Sequence, residues 1–144
     1  MIIFTENKYP IAKDIIWDDV IEKISQGYLK MIAIHENISV NPPTYFLMDD
    51  YYPGTIGDVF KEVSKDCGVK VMHMYASFGS NCTTFGRHND PVDVLIVQAK
   101  GSVTYQCDDT TYTLNPGDSL FFPKDSYHDP IVSGPRVTLS FSWE

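Results

Sequence analysis

The spacing of apolar positions predicts two amphipathic helices in the first half of the chain. In residues 11–26 apolar side chains recur every three or four positions, and Gly27 follows as a natural helix end. A second helix is predicted for 55–67, where Thr55 and Asp58 have the spacing of a capping box. We expect both helices to pack on the outside of the β-structure that the rest of the chain predicts.

After residue 68 the pattern changes to short apolar or alternating runs of strand length. Turn-forming residues separate these runs, and the stretch 115–118 (NPGD) has proline second and glycine third, as in a tight turn. Many short strands with regular turns indicate a sandwich or barrel. We predict one mainly β domain over 1–144, with a mixed α/β part at 1–68 and a barrel core with the functional site at 69–144. The predicted strands are 28–34, 44–48, 69–78, 92–99, 102–107, 111–114, 119–122, 127–132 and 136–143.

Composition and charge exclude several classes of protein. The chain has 144 residues, of which 43% are hydrophobic and 21% charged, as in ordinary globular domains. Its net charge of −8 and its scattered basic residues argue against nucleic-acid or acidic-membrane partners. Its apolar runs are shorter than the roughly 18 residues of a membrane span. Cys67, Cys82 and Cys107 are widely spaced, which predicts free thiols in a reducing, cytoplasmic compartment.

The histidines are the strongest candidates for chemistry. We interpret His35 as a loop residue, whereas His73 lies in a predicted strand where it could line a cavity. His88 is followed two positions later by Asp90, so on an extended strand both side chains point to one face and can share an ion. His128, on a later predicted strand, could complete the set. Two histidines and one carboxylate are typical of non-haem Fe(II) oxygenases.

Two motifs then resemble the cupin superfamily, and within it the JmjC-like branch of 2-oxoglutarate-dependent oxygenases. Residues 88–101 (HNDPVDVLIVQAKG) are similar to that branch's His-x-Asp-x-x-Asp-Val, three apolar residues, Gln-x-x-Gly. Residues 114–123 (LNPGDSLFFP), followed by His128, are similar to its second motif. The stretch 71–80 also resembles the strand and loop that precede the first motif.

This resemblance implies a single cupin barrel, a double-stranded β-helix or jelly roll, that binds Fe(II) and uses 2-oxoglutarate as cosubstrate. The implied metal ligands are His88, Asp90 and His128, and Ni, Zn or Mn can replace iron in a recombinant sample. Asp93 and Gln98 would then be outer or strand-pairing residues that orient the ligands.

One position departs from the JmjC-like pattern. The basic residue that holds the far carboxylate of 2-oxoglutarate lies two positions after the motif's glycine, and here that position is Val103. Other 2-oxoglutarate oxygenases take an arginine from the last strand in a Gly-x-Arg context, and this chain has Arg136 after Gly134 and Pro135. The resemblance therefore implies Arg136 as the carboxylate partner, with Tyr75 adding a hydroxyl group.

Three functions remain open at this point. The first is an Fe(II)- and 2-oxoglutarate-dependent oxygenase that hydroxylates a protein side chain or a small molecule. The second is a metal-binding cupin of another kind: an isomerase, a dioxygenase without 2-oxoglutarate, or a small-ligand sensor. The third is a non-catalytic barrel that acts as a binding module. The resemblance also implies a homodimer, since cupins often dimerise.

Overall fold

The computed structural model describes residues 1–26, 29–31 and 42–144. Strands dominate these residues, and neither helix among them is long and apolar enough to cross a membrane. In chain order the elements are β1 (Ile3–Thr5), a 3-10 turn (Pro10–Asp14), α1 (Trp17–Ser25), β2 (Leu29–Met31), β3 (Tyr45–Met48), α2 (Gly54–Cys67), β4 (Val71–Ser77), β5 (Val94–Lys100), β6 (Val103–Cys107), β7 (Thr110–Leu114), β8 (Ser119–Phe122), β9 (Asp129–Ile131) and β10 (Arg136–Ser142).

The strands form two antiparallel sheets. The larger sheet has seven strands in the order β1-β8-β5-β10-β4-β3-β2, and the smaller sheet has three in the order β7-β6-β9. This arrangement confirms the predicted mainly β barrel with helices outside it. The mixed first part of the chain contributes more than helices, because β1, β2 and β3 extend both edges of the larger sheet. The sequence did not predict β1, which is too short to show an alternating pattern.

The central strand β10 separates an apolar core from a polar interior. Its sequence from Arg136 to Ser142 (RVTLSFS) alternates strictly, so polar and apolar side chains take opposite faces. The apolar set Val137, Leu139 and Phe141 is fully buried in one core together with residues of both helices. The polar set faces the inside of the barrel, where the sheets enclose a cavity. The wall that β10 contributes to this cavity is therefore polar.

Helix α2 supplies much of the core on the outer face of the sheet. Its residues Ile56, Val59 and Val63 recur at helical spacing and are fully buried. Each such side chain contributes about 1.5–3 kcal/mol by leaving water. A second apolar cluster lies between the two sheets and includes Val103 and Leu120. It fills the part of the barrel that the cavity leaves free.

The helix bounds agree with the prediction except at their beginnings. The predicted helix 11–26 is interrupted, because Ile15 and Ile16 are extended between the 3-10 turn and α1. The predicted capping box was wrong: Thr55 donates from its N–H and its hydroxyl to the Asp19 carboxylate of α1, at 2.8 and 2.6 Å. Helix α2 does end where glycine predicts, since Gly68 has a left-handed φ of 78°.

The predicted strands are confirmed with small shifts at their ends. Only part of the predicted strand 28–34 can be compared, because residues 28 and 32–34 lie outside the described residues. The turn at 115–118 is present: the Asp118 N–H donates to the Asn115 carbonyl at 2.9 Å, and Gly117 has φ of 95°. This turn starts β8, which leads the chain toward His128.

Candidate metal centre and its cavity

His88 and His128 are paired through their backbones. Each N–H donates to the carbonyl oxygen of the other at 2.9 Å, which makes a single antiparallel bridge between two loops. The centres of the two imidazole rings are 4.4 Å apart. The strand-like backbone at His88 also places Asp90 on the same side, as its two-residue spacing predicted. The structure thus brings the three predicted ligands together.

The hydrogen bonds of the two rings leave one nitrogen of each free to bind a metal. His88 Nδ1 lies 2.7 Å from the Gly86 carbonyl oxygen, and His128 Nδ1 lies 3.0 Å from that of Ser126. A carbonyl oxygen only accepts, so each Nδ1 carries the proton and each Nε2 keeps its lone pair. This is the arrangement that orients histidine ligands in metal sites.

The free nitrogens converge on the Asp90 carboxylate. Asp90 Oδ2 lies 3.4 Å from His128 Nε2 and 4.0 Å from His88 Nε2, and one ligand atom from each residue lies within 4.8 Å of the others. Ligands about 2.1 Å from a shared ion stand about 3.0–3.4 Å apart, so small rotations would close the set. When His128 is also protonated at Nε2, its hydrogen bond to Asp90, followed by the charges of the histidines, lowers the pKa of Asp90 despite its partial burial. The donor set therefore fits a divalent first-row metal.

The segments that carry these residues are tied together outside the site. Asp93, which is exposed, accepts the Lys124 N–H at 2.8 Å and does not pair with the two histidines. The Asp125 N–H donates to the Asp90 carbonyl at 2.7 Å. The Arg87 guanidinium stacks 4.0 Å from the centre of the Tyr127 ring. Asp93 therefore holds the loop before His128, and it affects the metal site only through the backbone of that loop.

A cavity opens from the three residues into the barrel. Its volume is about 130 Å³, close to that of an apolar cavity of about 150 Å³ that binds benzene, so it can admit a small organic molecule from its open side. Its walls include His73 and Tyr75 of β4, Tyr105 of β6, and Arg136 and Ser140 of β10. The predicted cavity position of His73 is thus borne out by the structure, whereas His35 lies outside the described residues.

Arg136 is held in this cavity by a chain of hydrogen bonds. It is 2% exposed, its Nε donates to Ser77 Oγ at 2.9 Å, and one terminal nitrogen donates to Thr138 Oγ1 at 2.8 Å. The Thr138 hydroxyl donates in turn to Gln98 Oε1 at 2.7 Å, and the Gln98 amide donates to the Lys100 carbonyl at 2.7 Å. Gln98, predicted as an outer or strand-pairing residue of the metal site, thus fixes the Thr138 hydroxyl that holds Arg136.

Two tyrosines face the same guanidinium. The Arg136 guanidinium lies 5.6 Å from the centre of the Tyr75 ring, and burial raises the pKa of Tyr75. Burial also raises the pKa of Tyr105 to about 12. Both hydroxyls are therefore protonated donors at neutral pH. Within the described part of the chain Arg136 has no carboxylate partner, and burial lowers its pKa. Val103, at the other predicted position, is buried in the apolar cluster between the sheets.

The sequence profile of the Cupin domain family matches residues 75–143, the part of the chain that contains this cavity. This part of the chain is therefore similar to a cupin domain. A search of curated proteins by sequence gave no match.

Two solved structures are similar in fold over nearly the whole chain. The ribosomal oxygenase YcfD from Escherichia coli, in complex with cobalt and succinic acid, is 11% identical with a TM-score of 0.72, and the match covers 99% of this chain and 48% of that chain. Its complex with cobalt and 2-oxoglutarate is 12% identical with a TM-score of 0.71, covering 100% and 48%. This chain thus spans about half the length of YcfD. At such identities the likeness shows the fold alone.

The sequence did not single out several polar residues that line the cavity or hold Arg136. They are Ser77, Tyr105, Thr138 and Ser140. None of them lies in a motif that carries metal ligands. The signal that could have found two of them is the polar alternation of β10, where every inward position bears a hydrogen-bonding side chain.

Proposed function

We propose that this protein is an Fe(II)- and 2-oxoglutarate-dependent oxygenase that hydroxylates a protein side chain or a small molecule. The observation that carries the proposal is the buried Arg136, which faces the same cavity as His88, Asp90 and His128. The metal set suits the 2-oxo acid end of the cosubstrate, and Arg136 suits its far carboxylate.

The electrostatics of Arg136 favour an anionic ligand. A buried guanidinium without a carboxylate carries a desolvation cost of several kcal/mol, which hydrogen bonds to neutral hydroxyls offset only in part. A carboxylate from a ligand would pair with the nitrogen that the Ser77 and Thr138 bonds leave free. Each charge-assisted hydrogen bond contributes about 1.5–3 kcal/mol. Tyr75 and Tyr105 are placed to donate their hydroxyls to the same carboxylate.

The residues of the site have separate tasks in this proposal. His88, Asp90 and His128 would hold the metal ion at the wall of the cavity. When bound, iron supplies the oxygen chemistry that decarboxylates the 2-oxo acid and hydroxylates the substrate. Arg136 orients the cosubstrate, and the Phe85 ring, 6.0 Å from the His88 ring, screens the metal set from water.

The comparisons support the proposal at the level of the fold. The similar YcfD structures are complexes of that protein with cobalt and either 2-oxoglutarate or succinic acid. We propose iron as the native metal of this chain, JmjC-like as its branch, and a reducing cytoplasm as its compartment, in keeping with three free cysteines. A homodimer is part of the same proposal.

The proposal is tested by the colour of the iron complex. A 2-oxo acid that chelates Fe(II) gives a visible charge-transfer absorption, whereas succinate, which lacks the oxo group, does not. Protein titrated with Fe(II) and 2-oxoglutarate without oxygen should develop this band, and Asp90→Ala should not. Fe(II) binding without a band would contradict the proposal.

A second candidate function is a metal-dependent cupin that does not use 2-oxoglutarate. Val103 favours it, because the position that carries the basic residue in JmjC-like enzymes is apolar and buried here. This candidate predicts metal binding that 2-oxoglutarate leaves unchanged, so the same titration separates the two.

A further inference from the structure

The inward face of the larger sheet carries polar side chains in successive rows. Strand pairing places Thr138 beside Tyr75 and Gln98, and the next inward position, Ser140, beside His73 and Ile96. Successive rows are about 7 Å apart along a strand. Thr138, in the first of these rows, binds the Arg136 guanidinium. The row of Ser140 and His73 is the next one along the strands and therefore lies farther from Arg136.

Among the described residues, the His73 ring and the Ser140 hydroxyl have no hydrogen-bond partner. Every fully buried side-chain polar atom in that part of the chain does have a partner. Their polar atoms must therefore be open to the cavity, whose wall they form. The Phe46 ring, 5.4 Å from the His73 ring and edge-on to it, holds the imidazole in place. Two fixed hydrogen-bonding groups thus point into free space.

The charges of the site decide what these groups can bind. In the proposed complex the divalent ion and Arg136 together carry three positive charges. Asp90 and a dianionic 2-oxo diacid together carry three negative charges, so the net charge is zero. Burial, the larger effect, lowers the pKa of His73 although Asp90 acts in the opposite direction, so the imidazole is neutral at pH 7. The remaining lining on this side is hydroxyl and apolar, with Val94 and Ile96 beside it. No charge is left over to match a charged substrate group.

We propose that His73 and Ser140 form the substrate subsite of this cavity and bind an uncharged polar group, such as a primary amide or a hydroxyl. This inference rests on the proposed function, because it takes the Arg136 side of the cavity to be filled by the cosubstrate. The imidazole and the hydroxyl can each donate or accept, which matches the paired donor and acceptor of an amide. Substrates of this class are selected over acidic and basic ones, since burying an unpaired charge here is costly.

Paramagnetic relaxation tests the subsite directly. Propionamide, propionate and propylammonium have similar sizes and different charges, and bound Mn(II) broadens the proton signals of molecules near it. With Mn(II) and 2-oxoglutarate bound, propionamide should be broadened at least about threefold more than either charged probe. Protein loaded with Mg(II), which is diamagnetic, gives the baseline.

Variants assign the effect to the two residues. Ser140→Ala and His73→Phe should each reduce the broadening of propionamide about three- to tenfold, the effect of one hydrogen bond, with unchanged Mn(II) affinity. Ser142→Ala is the matched control, because the Ser142 hydroxyl already donates to the Glu144 carbonyl at 3.0 Å. Equal broadening of the three probes, preference for a charged probe, or indifference to both variants would overturn the subsite.

The proposed function and the subsite can fail separately. A preceding titration shows whether 2-oxoglutarate binds to the Mn(II) protein. If it does not bind, the proposed function is lost, and the same probes on the Mn(II) protein decide the subsite alone. Arg136 can then attract propionate by itself, so the propionamide signal of the variants decides: lower broadening in Ser140→Ala and His73→Phe supports the subsite, and unchanged broadening in both overturns it.

Discussion

His88 and His128 hold each other in place through two reciprocal backbone hydrogen bonds of 2.9 Å. Because these bonds use main-chain atoms, they do not depend on the side chains that would bind a metal. The geometry of the site is thus established by folding, and ligand substitutions can be made without unfolding the loops. This separation makes the metal hypothesis open to clean tests.

Asp90→Ala should abolish tight metal binding. Substituting residues that only orient the ligands typically lowers metal affinity about 10- to 100-fold. Removing a ligand itself should therefore lower metal affinity by at least about 100-fold. Calorimetric titration with Mn(II) measures this. Asp93→Asn is the control, because it removes a nearby negative charge from a residue whose side chain accepts a hydrogen bond from the Lys124 backbone. Equal losses in both variants would mean that general charge, and not coordination by Asp90, attracts the ion.

Tyr127→Leu should weaken metal binding modestly. The stack of Arg87 on Tyr127 joins the residues that immediately precede the two histidines. An exposed contact of this kind is worth about 0.5–1 kcal/mol, or roughly two- to fivefold in affinity. Tyr127→Phe keeps an aromatic ring and should bind Mn(II) like the parent. If the leucine and phenylalanine variants behave alike, the stack does not position the histidines.

Thr138→Val should weaken 2-oxoglutarate binding and leave metal binding intact. The change keeps the shape of the side chain but removes the hydroxyl that connects Arg136 to Gln98. Two buried polar groups then lose a partner, which costs about 1–3 kcal/mol each in folding and frees the guanidinium to move. Thr138→Ser should restore the binding of 2-oxoglutarate to Mn(II)-loaded protein. A serine variant as weak as the valine variant would indicate a packing effect.

Asp49→Asn should destabilise the fold by about 2 kcal/mol at pH 7, because it leaves Lys23 buried without its charge partner. Lys23 is 1% exposed and Asp49 24% exposed, and the hydrogen bond from Lys23 lowers the pKa of Asp49. A lowered folded-state pKa stabilises the protein above the unfolded value near 4 and ceases to do so as the pH falls. The difference between parent and variant in urea unfolding should therefore shrink below about pH 4. A difference that is independent of pH would contradict this ion pair's role.

The strands and the metal set could be predicted because their signals are local. Alternation along the chain fixes which face a strand buries, and two-residue spacing places Asp90 beside His88 on an extended backbone. The partners of Arg136 could not be predicted in this way. Ser77 lies 59 residues away in sequence and Gln98 lies on another strand, so only strand pairing brings them to the guanidinium.

Two other residues show how tertiary contacts override local patterns. Thr55 has capping-box spacing, but the Asp19 carboxylate, 36 residues away, takes its N–H and hydroxyl. Gly101 belongs to the first motif for a reason that only the fold reveals: its φ is 61°, and a Cβ there would lie 2.0 Å from the Pro135 carbonyl oxygen. This close approach allows the chain to enter β10 at Arg136.

The most direct test of the account is calorimetric titration of 2-oxoglutarate into the Mn(II)-loaded and the metal-free protein, repeated with Arg136→Met. Binding to the parent should require Mn(II). The methionine variant should bind Mn(II) normally but lose at least about 2 kcal/mol, roughly 30-fold, of 2-oxoglutarate affinity, because its far carboxylate has no charged partner. The account is contradicted if the Mn(II)-loaded parent does not bind 2-oxoglutarate, or if Arg136→Met binds it as tightly as the parent.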